Sequence, residues 1–231
     1  YFTLNNNLSI EPRVALKWKI NPKHSLALAY GLHSRREKLD YYFVEKVVNG
    51  KNQSNRYLDF SRAHHVGMTY DWNINQNLHL KIEPYFQYLF RIPVEKNSSF
   101  SVINHEEFYL DRILTNTGQG RNYGIDITLE QYMKNGFYYM ITCSLFKSKY
   151  RGGDNVWRNT RLDKNYLLNL LAGKEWMVGK LKQNVLSLNG RLFFQGGERY
   201  TPVNEERSQT EHDIFFDETK AYSKRFNPSL P

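Results

Sequence analysis

The chain is poor in most of what ordinary folds use to fix themselves. It has one cysteine, Cys143, in 231 residues, which excludes an intrachain disulfide framework and any zinc centre built on cysteines. It has no long apolar run. Hydrophobic residues make up 40% and mean hydropathy is −0.67, so no segment resembles the roughly 20 apolar residues of a spanning helix. That absence excludes helical spans only, because a spanning β-barrel hides its apolar side chains at alternate positions. The opening "YFTLNNNLSI" lacks the basic start and apolar centre of a secretory leader. It does not begin with Met, and we expect a chain that begins inside a longer protein. Helical periodicity is scarce throughout.

No enzyme constellation emerges, and no cofactor is expected. His64 and His65 are adjacent, so in a strand they point to opposite faces and cannot share a metal. No spacing of Ser, His and Asp suggests a nucleophile elbow. "GRNYGID" and "RGGDNVW" contain glycines but not the strand-to-helix setting of a phosphate loop.

Aromatic residues and positive charge are abundant. Aromatics reach 15%, with 17 Tyr and 14 Phe, and lean toward strands. A net charge of +9 suits nucleic acid, anionic lipid or an acidic ligand, and equally a basic solvated surface.

Alternation runs almost from end to end. In "LSIEPRVALKWKINPKHSLALAYGL", Leu8, Ile10, Val14, Leu16, Trp18 and Ile20 share one face, and Leu26, Leu28, Tyr30 and Leu32 repeat it after a turn. Charged residues such as Glu11, Arg13 and Lys17 lie between the first set. The same rhythm places Val66, Met68, Tyr70, Trp72 and Ile74 together, then Leu78, Leu80, Ile82, Phe86, Tyr88, Phe90 and Ile92. It continues with Tyr123, Ile125, Ile127 and Leu129, and with Phe137, Tyr139, Ile141, Cys143 and Leu145. A last pair surrounds "GKLKQN". This predicts about eight strands in four hairpins, longer than the five or six residues usual in soluble sheets.

Short turns (Asn21 to His24, Asn75 to Asn77, Lys134 to Gly136, Gly179 to Asn184) alternate with long polar loops. The loops run from about His33 to Ala63, Pro93 to Arg121, Lys149 to Arg161, and Gly196 to the end. Compact soluble domains seldom carry several such loops, whereas outer-membrane barrels have short turns at one rim and long loops at the other. Trp18, Trp72 and Trp176 each precede a short turn, as an aromatic girdle at a membrane boundary would. Tyr30, Tyr88 and Phe90 would mark the opposite rim. The apolar face then meets lipid and the charged face a watery lumen. Lys174 departs from this pattern, but near the rim its long stem can snorkel.

The segments "SIEPRVALKWKINPKHSLALAYGLHS", "KIEPYFQYLFRIPV", "NYGIDITLEQYMKNGFYYMITCSLFKSKYRGGDNVWRNTR" and "LNGRLFFQGGERYTP" carry a resemblance to a known family. In order, they resemble the C-terminal barrel half of TonB-dependent outer-membrane receptors, most closely the subgroup with a carboxypeptidase-regulatory-like domain. The resemblance implies an all-β, antiparallel transmembrane barrel of about 22 strands, with a plug domain inside it that couples to TonB. It implies a multi-pass location in a Gram-negative outer membrane. Residues 1–231 would then form one partial barrel domain, lacking the plug and about three closing strands. The implied partners are outer-membrane lipid, the plug, the TonB complex, a bulky imported ligand (iron chelate, cobalamin, peptide or glycan) and a surface lipoprotein, with no nucleic acid.

Within that frame the candidate lumen-facing residues are Glu11, Arg13, Lys17, Lys81, Glu83, Arg91, Asp126, Glu130 and Arg191. Trp157, Arg199 and Tyr200 are candidates for ligand contact from the long loops. The two Ile-Glu-Pro tripeptides, at Ile10 and Ile82, predict a bulge or bend at each proline. Glu11 and Glu83 are expected to point to the lumen, where they pair with bases such as Arg13 and Lys81 or contact the plug. Two other classes stay open on the residues alone: a surface binding or adhesion barrel without transport, and a soluble β-barrel with its apolar face inside.

Overall fold

The computed structural model describes residues 1–107 and 109–228; the last long loop, expected to run to Pro231, lies outside the described residues beyond 228. In chain order the elements are β1 (Arg13–Asn21), β2 (His24–Arg35), β3 (Glu45–Val48), β4 (Lys51–Ser54), β5 (Ser61–Asn73), β6 (Leu78–Glu95) and β7 (Leu114–Lys134). They continue with β8 (Phe137–Arg151), β9 (Trp157–Asn159), β10 (Tyr166–Val178), β11 (Asn184–Gln195), β12 (Arg199–Tyr200), α1 (Glu205–Glu211) and β13 (Lys224–Arg225).

Eight long strands form one antiparallel sheet in the order β1-β2-β5-β6-β7-β8-β10-β11, with β9 added beside β8. Sequence neighbours pair throughout, so the sheet is a meander of hairpins. The long strands match the eight expected, and the chain is all-β with antiparallel pairing.

The turns at one end are tight for local reasons. The Asn21 side chain accepts from the backbone N–H of Lys23 and His24 (2.9 and 3.0 Å), and Asn75 does the same for Asn77 and Leu78 (2.9 and 3.1 Å). Such Asx turns let a short polar side chain stand in for backbone. Asn135 and Gly136 both have positive φ, 51° and 74°, the Asn-Gly turn that suits the twist of a hairpin.

Register sorts the side chains. One row crosses all eight strands as Trp18, Leu26, Tyr70, Ile82, Ile127, Cys143, Leu168 and Phe194. The adjacent row, on the other face, reads Lys19, Ser25, Asp71, Lys81, Thr128, Thr142, Asn169 and Phe193. Among the described residues nothing covers the apolar face. Leu16 is 70% exposed, Trp18 66% and Leu28 49%. Soluble domains bury such a face against a second layer and rarely expose apolar patches beyond a few hundred Å².

The dry core lies elsewhere. Tyr41, Tyr42, Leu58, Ile92, Val102, Leu110 and Leu114 pack together at the long-loop end, with Phe2, Leu4, Leu89, Phe100 and Ile103 against them. The loops expected to be merely polar therefore hold a core of their own.

Three expectations need correction. β1 begins at Arg13, not Leu8. The first residues turn back through a Phe2–Asn7 bridge, and the Asn5 side chain donates to the Leu58 carbonyl (2.7 Å), so Leu8 and Ile10 lie before the ladder. Pro84 makes no bulge. Its bridge to β5 is missing, yet the register before and after it is the same, so the lost N–H is absorbed without a shift. The bulge falls instead at Arg91, between Phe90 and Ile92, with φ of 54°. One extra residue reverses facing, which takes Ile92 off the apolar face and into the loop core, where it is 3% exposed.

Candidate functional site

The polar face carries side-chain contacts both along and between strands. Lys81 and Glu83 pair at 2.8 Å, and Thr69 Oγ1 donates to Glu83 at 3.2 Å. Asp71 accepts from Ser25 (3.3 Å) and meets His79 Nε2 at 3.2 Å. Ser148 donates to Asn122, and Asn122 to Gln87 (2.7 and 3.0 Å). Arg191 Nε donates to Asn169 at 2.7 Å. These pairs are the sheet counterpart of helix side-chain ladders.

The other candidates fall as follows. Arg13 and Glu11 pair at 2.9 Å, and Glu11 also accepts the backbone N–H of Ser34 at 3.1 Å, tying the residues before β1 to the end of β2. Asp126 stands opposite Glu83, and Glu130 opposite His79, across β6 and β7. Lys17 lies opposite Ala27. Arg91 is the exception, because its bulge carries it to an ion pair with Asp59 in the first long loop. Small residues beside these bases leave a hollow of about 420 Å³ lined by Ala27, Ala29, His65, Gly67, Glu83, Tyr85, Gln87 and Asp126. Tyr85 spans the space over Gly124, whose absent Cβ would lie 3.0 Å from the phenol oxygen. The polar face thus holds a shallow hollow and carries both signs of charge.

At the short-turn end, Trp18, Trp72 and Trp176 all lie on the apolar face, opposite Leu26, Leu80 and Leu186. His24 stacks on Trp72 (5.6 Å between ring centres). Lys174, also on that face, turns its ammonium to the Asn135 carbonyl at 2.7 Å. At the other end Tyr30, His64, Phe90 and Tyr88 form a stacked run across three strands. Cys143 is a free thiol in the apolar row.

The loop candidates are largely engaged with their own chain. Arg199 Nε donates to the fully buried Asp163 at 2.8 Å, and Arg225 approaches the same oxygen at 3.2 Å. Burial and the neighbouring Arg199 lower the Arg225 pKa. Trp157 has the Arg121 guanidinium 4.2 Å above its ring. Tyr200 packs against Phe226 with the rings tilted (4.4 Å between centres) and remains partly exposed.

Several structural residues had no sequence signal. Asn55 is 1% exposed; it accepts the Leu114 N–H (2.8 Å) and donates to the Arg112 carbonyl (2.9 Å). Arg161 joins Glu198 (2.6 Å) and Glu106, and Lys164 adds a bond to Glu198 at 3.2 Å. The Phe137-to-Leu145 alternation was visible because it repeats. These loop contacts do not repeat, and their apolar residues follow no period. Among the described residues no group of three or more His, Cys, Asp or Glu side chains is placed to hold a metal, and no helix is long and apolar enough to cross a membrane.

No protein-family model matches the chain, and neither does any curated protein. Solved structures do. The ferripyoverdine receptor of the outer membrane of Pseudomonas aeruginosa is 12% identical, with a TM-score of 0.60 over 85% of this chain and 24% of its own. The ferric-catecholate import receptor Fiu of E. coli is 8% identical, with a TM-score of 0.57 over 81% of this chain and 24% of its own. The FrpB iron transporter from Neisseria meningitidis is 10% identical, with a TM-score of 0.56 over 82% of this chain and 27% of its own. The chain spans about a quarter of the length of each. At these identities the likeness is one of fold: the chain's antiparallel sheet is similar to part of the sheet of these receptors.

Proposed function

We propose that the chain is part of the wall and outer loops of a TonB-dependent importer in a Gram-negative outer membrane. The apolar face meets lipid, and the polar face lines the lumen, where Arg13, Lys17, Lys81, Glu83, Asp126, Glu130 and Arg191 meet a plug domain or passing ligand. The long loops lie at the outer surface, with the partly exposed Tyr200 nearest to a ligand. The chain does no chemistry. It supplies the rigid part of a device whose uptake is driven through the plug by TonB. A ferric chelate is the ligand class best supported, since the solved neighbours are receptors or transporters of iron or its chelates.

The observation that carries this reading is a sheet that no second layer covers among the described residues, with one apolar face and, from β1 to β7, a polar face opposite it. Lipid on one side and water on the other satisfy it; water on both sides does not.

The test is site-directed labelling of the protein in its membrane. Single cysteines replacing Leu28, Ile82 and Ile127, in a Cys143→Ser background, should react with a lipid-phase reagent and resist a charged one. Cysteines at Lys17 and Lys81 should show the reverse. Equal reaction of both sets with the charged reagent would sink the reading. Loss of growth on one ferric chelate after deletion of the protein would identify its cargo.

A further inference from the structure

The chain has seven histidines, and most are already engaged. His24 bonds to Tyr70 (2.7 Å), His64 to Tyr30 (2.9 Å) and His79 to Asp71 (3.2 Å). His105 packs against Tyr41 and Phe100, and His212 sits exposed at the end of α1. His33 and His65 are the remaining two. Among the described residues neither ring has a hydrogen-bond partner. Both are half-buried, and they stand side by side, 6.2 Å between ring centres with planes at 57°.

The ladder brings these two together. Where β2 pairs with β5, Gly31 stands opposite His65 and Ala63 opposite His33, so both imidazoles rise from the polar face. Each faces a residue with little or no side chain, which leaves the rings room to lean together. Glycine at 31 lets the His33 ring lie where it does, because a Cβ there would be 2.7 Å from its Nε2. The pair lines a hollow of about 400 Å³ with Arg13, Ala29, Gly31 and Gly67. Arg13, the charged member of that lining, is balanced by Glu11 at 2.9 Å.

We propose that His33 and His65 form a two-imidazole site for a borderline divalent metal ion of the copper or zinc type, with water completing its shell. Imidazole suits such ions, whereas Mg²⁺ and Ca²⁺ take oxygen ligands. A ring nitrogen binds zinc at about 2.0–2.1 Å, which puts the centres of two rings on one ion roughly 5–6 Å apart. The observed 6.2 Å reaches that with a small turn of either side chain. His65 cannot share an ion with His64, its neighbour on the strand, so its co-ligand comes from across the ladder. Structural zinc sites close the shell with four protein ligands. A pair leaves open positions, so this site captures and releases an ion without locking it in place. The inference is independent of the importer reading: it needs the polar face to be wet, not the apolar face to meet lipid.

Calorimetric titration of the full-length protein in detergent with Cu²⁺ alone tests this, together with electron paramagnetic resonance of the copper-loaded protein. His33→Ala and His65→Ala should each weaken one Cu²⁺ site by at least about tenfold, and the double variant should remove it. The copper spectrum should lose nitrogen coupling when either histidine goes. His33→Gln and His65→Gln keep bulk and a polar end, and they carry the test if an alanine variant does not fold. His212→Asn, at an exposed histidine of the last loop, should change nothing, and excess Mg²⁺ should not displace the ion. Copper uptake that is unchanged in both single variants overturns the proposal. A loss from only one of them also overturns it, by leaving a lone imidazole, as does displacement by Mg²⁺. Such a failure would leave the labelling of the apolar face untouched, so the two readings fail separately.

Discussion

Asp163, with no exposed surface, accepts a hydrogen bond from Arg199 at 2.8 Å and so fastens the loop after β9 to the strand β12. The same carboxylate accepts the backbone N–H of Ser148 at 3.0 Å and draws in Arg225. One acid thus holds the end of β8 and two segments of the last loop. Removing one partner of a buried ion pair leaves uncompensated charge, at about 3–5 kcal/mol. Asp163→Ala is expected to raise hydrogen exchange across residues 157–165 and 197–226 while leaving β1 to β7 protected. Unchanged exchange in those loops would refute the assignment.

The bulge at Arg91 depends on Asn116. Its amide donates to the carbonyls of Arg91 (2.8 Å) and Asp59 (3.2 Å), and its oxygen accepts the Asp59 N–H (2.8 Å). Asn116→Ala should cost about 1–3 kcal/mol through the groups left unsatisfied, read as a lower melting temperature in detergent. Arg91→Gly should cost less, because glycine keeps the left-handed backbone and gives up only the pair with Asp59.

The two faces of β7 should respond oppositely to charge. Ile127 lies midway between Arg121 and the Asn135–Gly136 turn, in the apolar row, while Thr128 lies in the polar one. Ile127→Lys is expected to destabilise the folded protein in lipid by about 2–4 kcal/mol, with Thr128→Lys nearly neutral. Urea titration in vesicles measures both.

Gly136 has a tight neighbour: a Cβ there would lie 2.3 Å from the Glu175 carbonyl oxygen, on a backbone with φ of 74°. Gly136→Ala should destabilise by at least about 1–2 kcal/mol, the left-handed penalty alone. Its effect should appear in the β7–β8 hairpin by exchange measurements.

Acid should loosen the third long loop. Burial alone would raise the Asp154 pKa, but hydrogen bonds from Arg158 and the Val156 backbone, with the Arg158 charge, hold it below the ordinary value. A depressed folded pKa contributes stability above the unfolded value, about 3.9, and that contribution is lost as pH falls through the folded value. Exchange near Val156 should therefore stay slow at pH 5 and quicken below about pH 4, and Asp154→Asn should abolish the pH dependence.

The sheet was readable because a strand with two unlike surroundings must write them into every second residue. Leu16, Leu28, Ile82 and Ile127 obey that rule, and even Lys174 falls where a snorkelling stem is tolerated. The rule has no memory for inserted residues, so the bulge at Arg91 and the change of face at Ile92 passed unseen. Prolines misled in the other direction: Pro84 sits where a lost bond costs no register. In the loops, burial comes from contacts between segments distant in sequence. Tyr42, Leu58 and Val102 meet there with no local period to announce them. Arg199 and Trp157 illustrate the same gap, since composition offered them for ligand contact and the folded chain already uses their charge and ring face.

The shared core under the loops has a mechanical consequence. Residues from the chain start, from the loop between β2 and β5, and from the loop between β6 and β7 lean on the same few aromatic and aliphatic side chains, so these segments behave as one slab and not as separate whips. A molecule pressing on any part of that slab moves the rest with it. Freedom to vary without disturbing the whole is left to its fringes, such as the Asn49–Gly50 hairpin tip and the short helix α1.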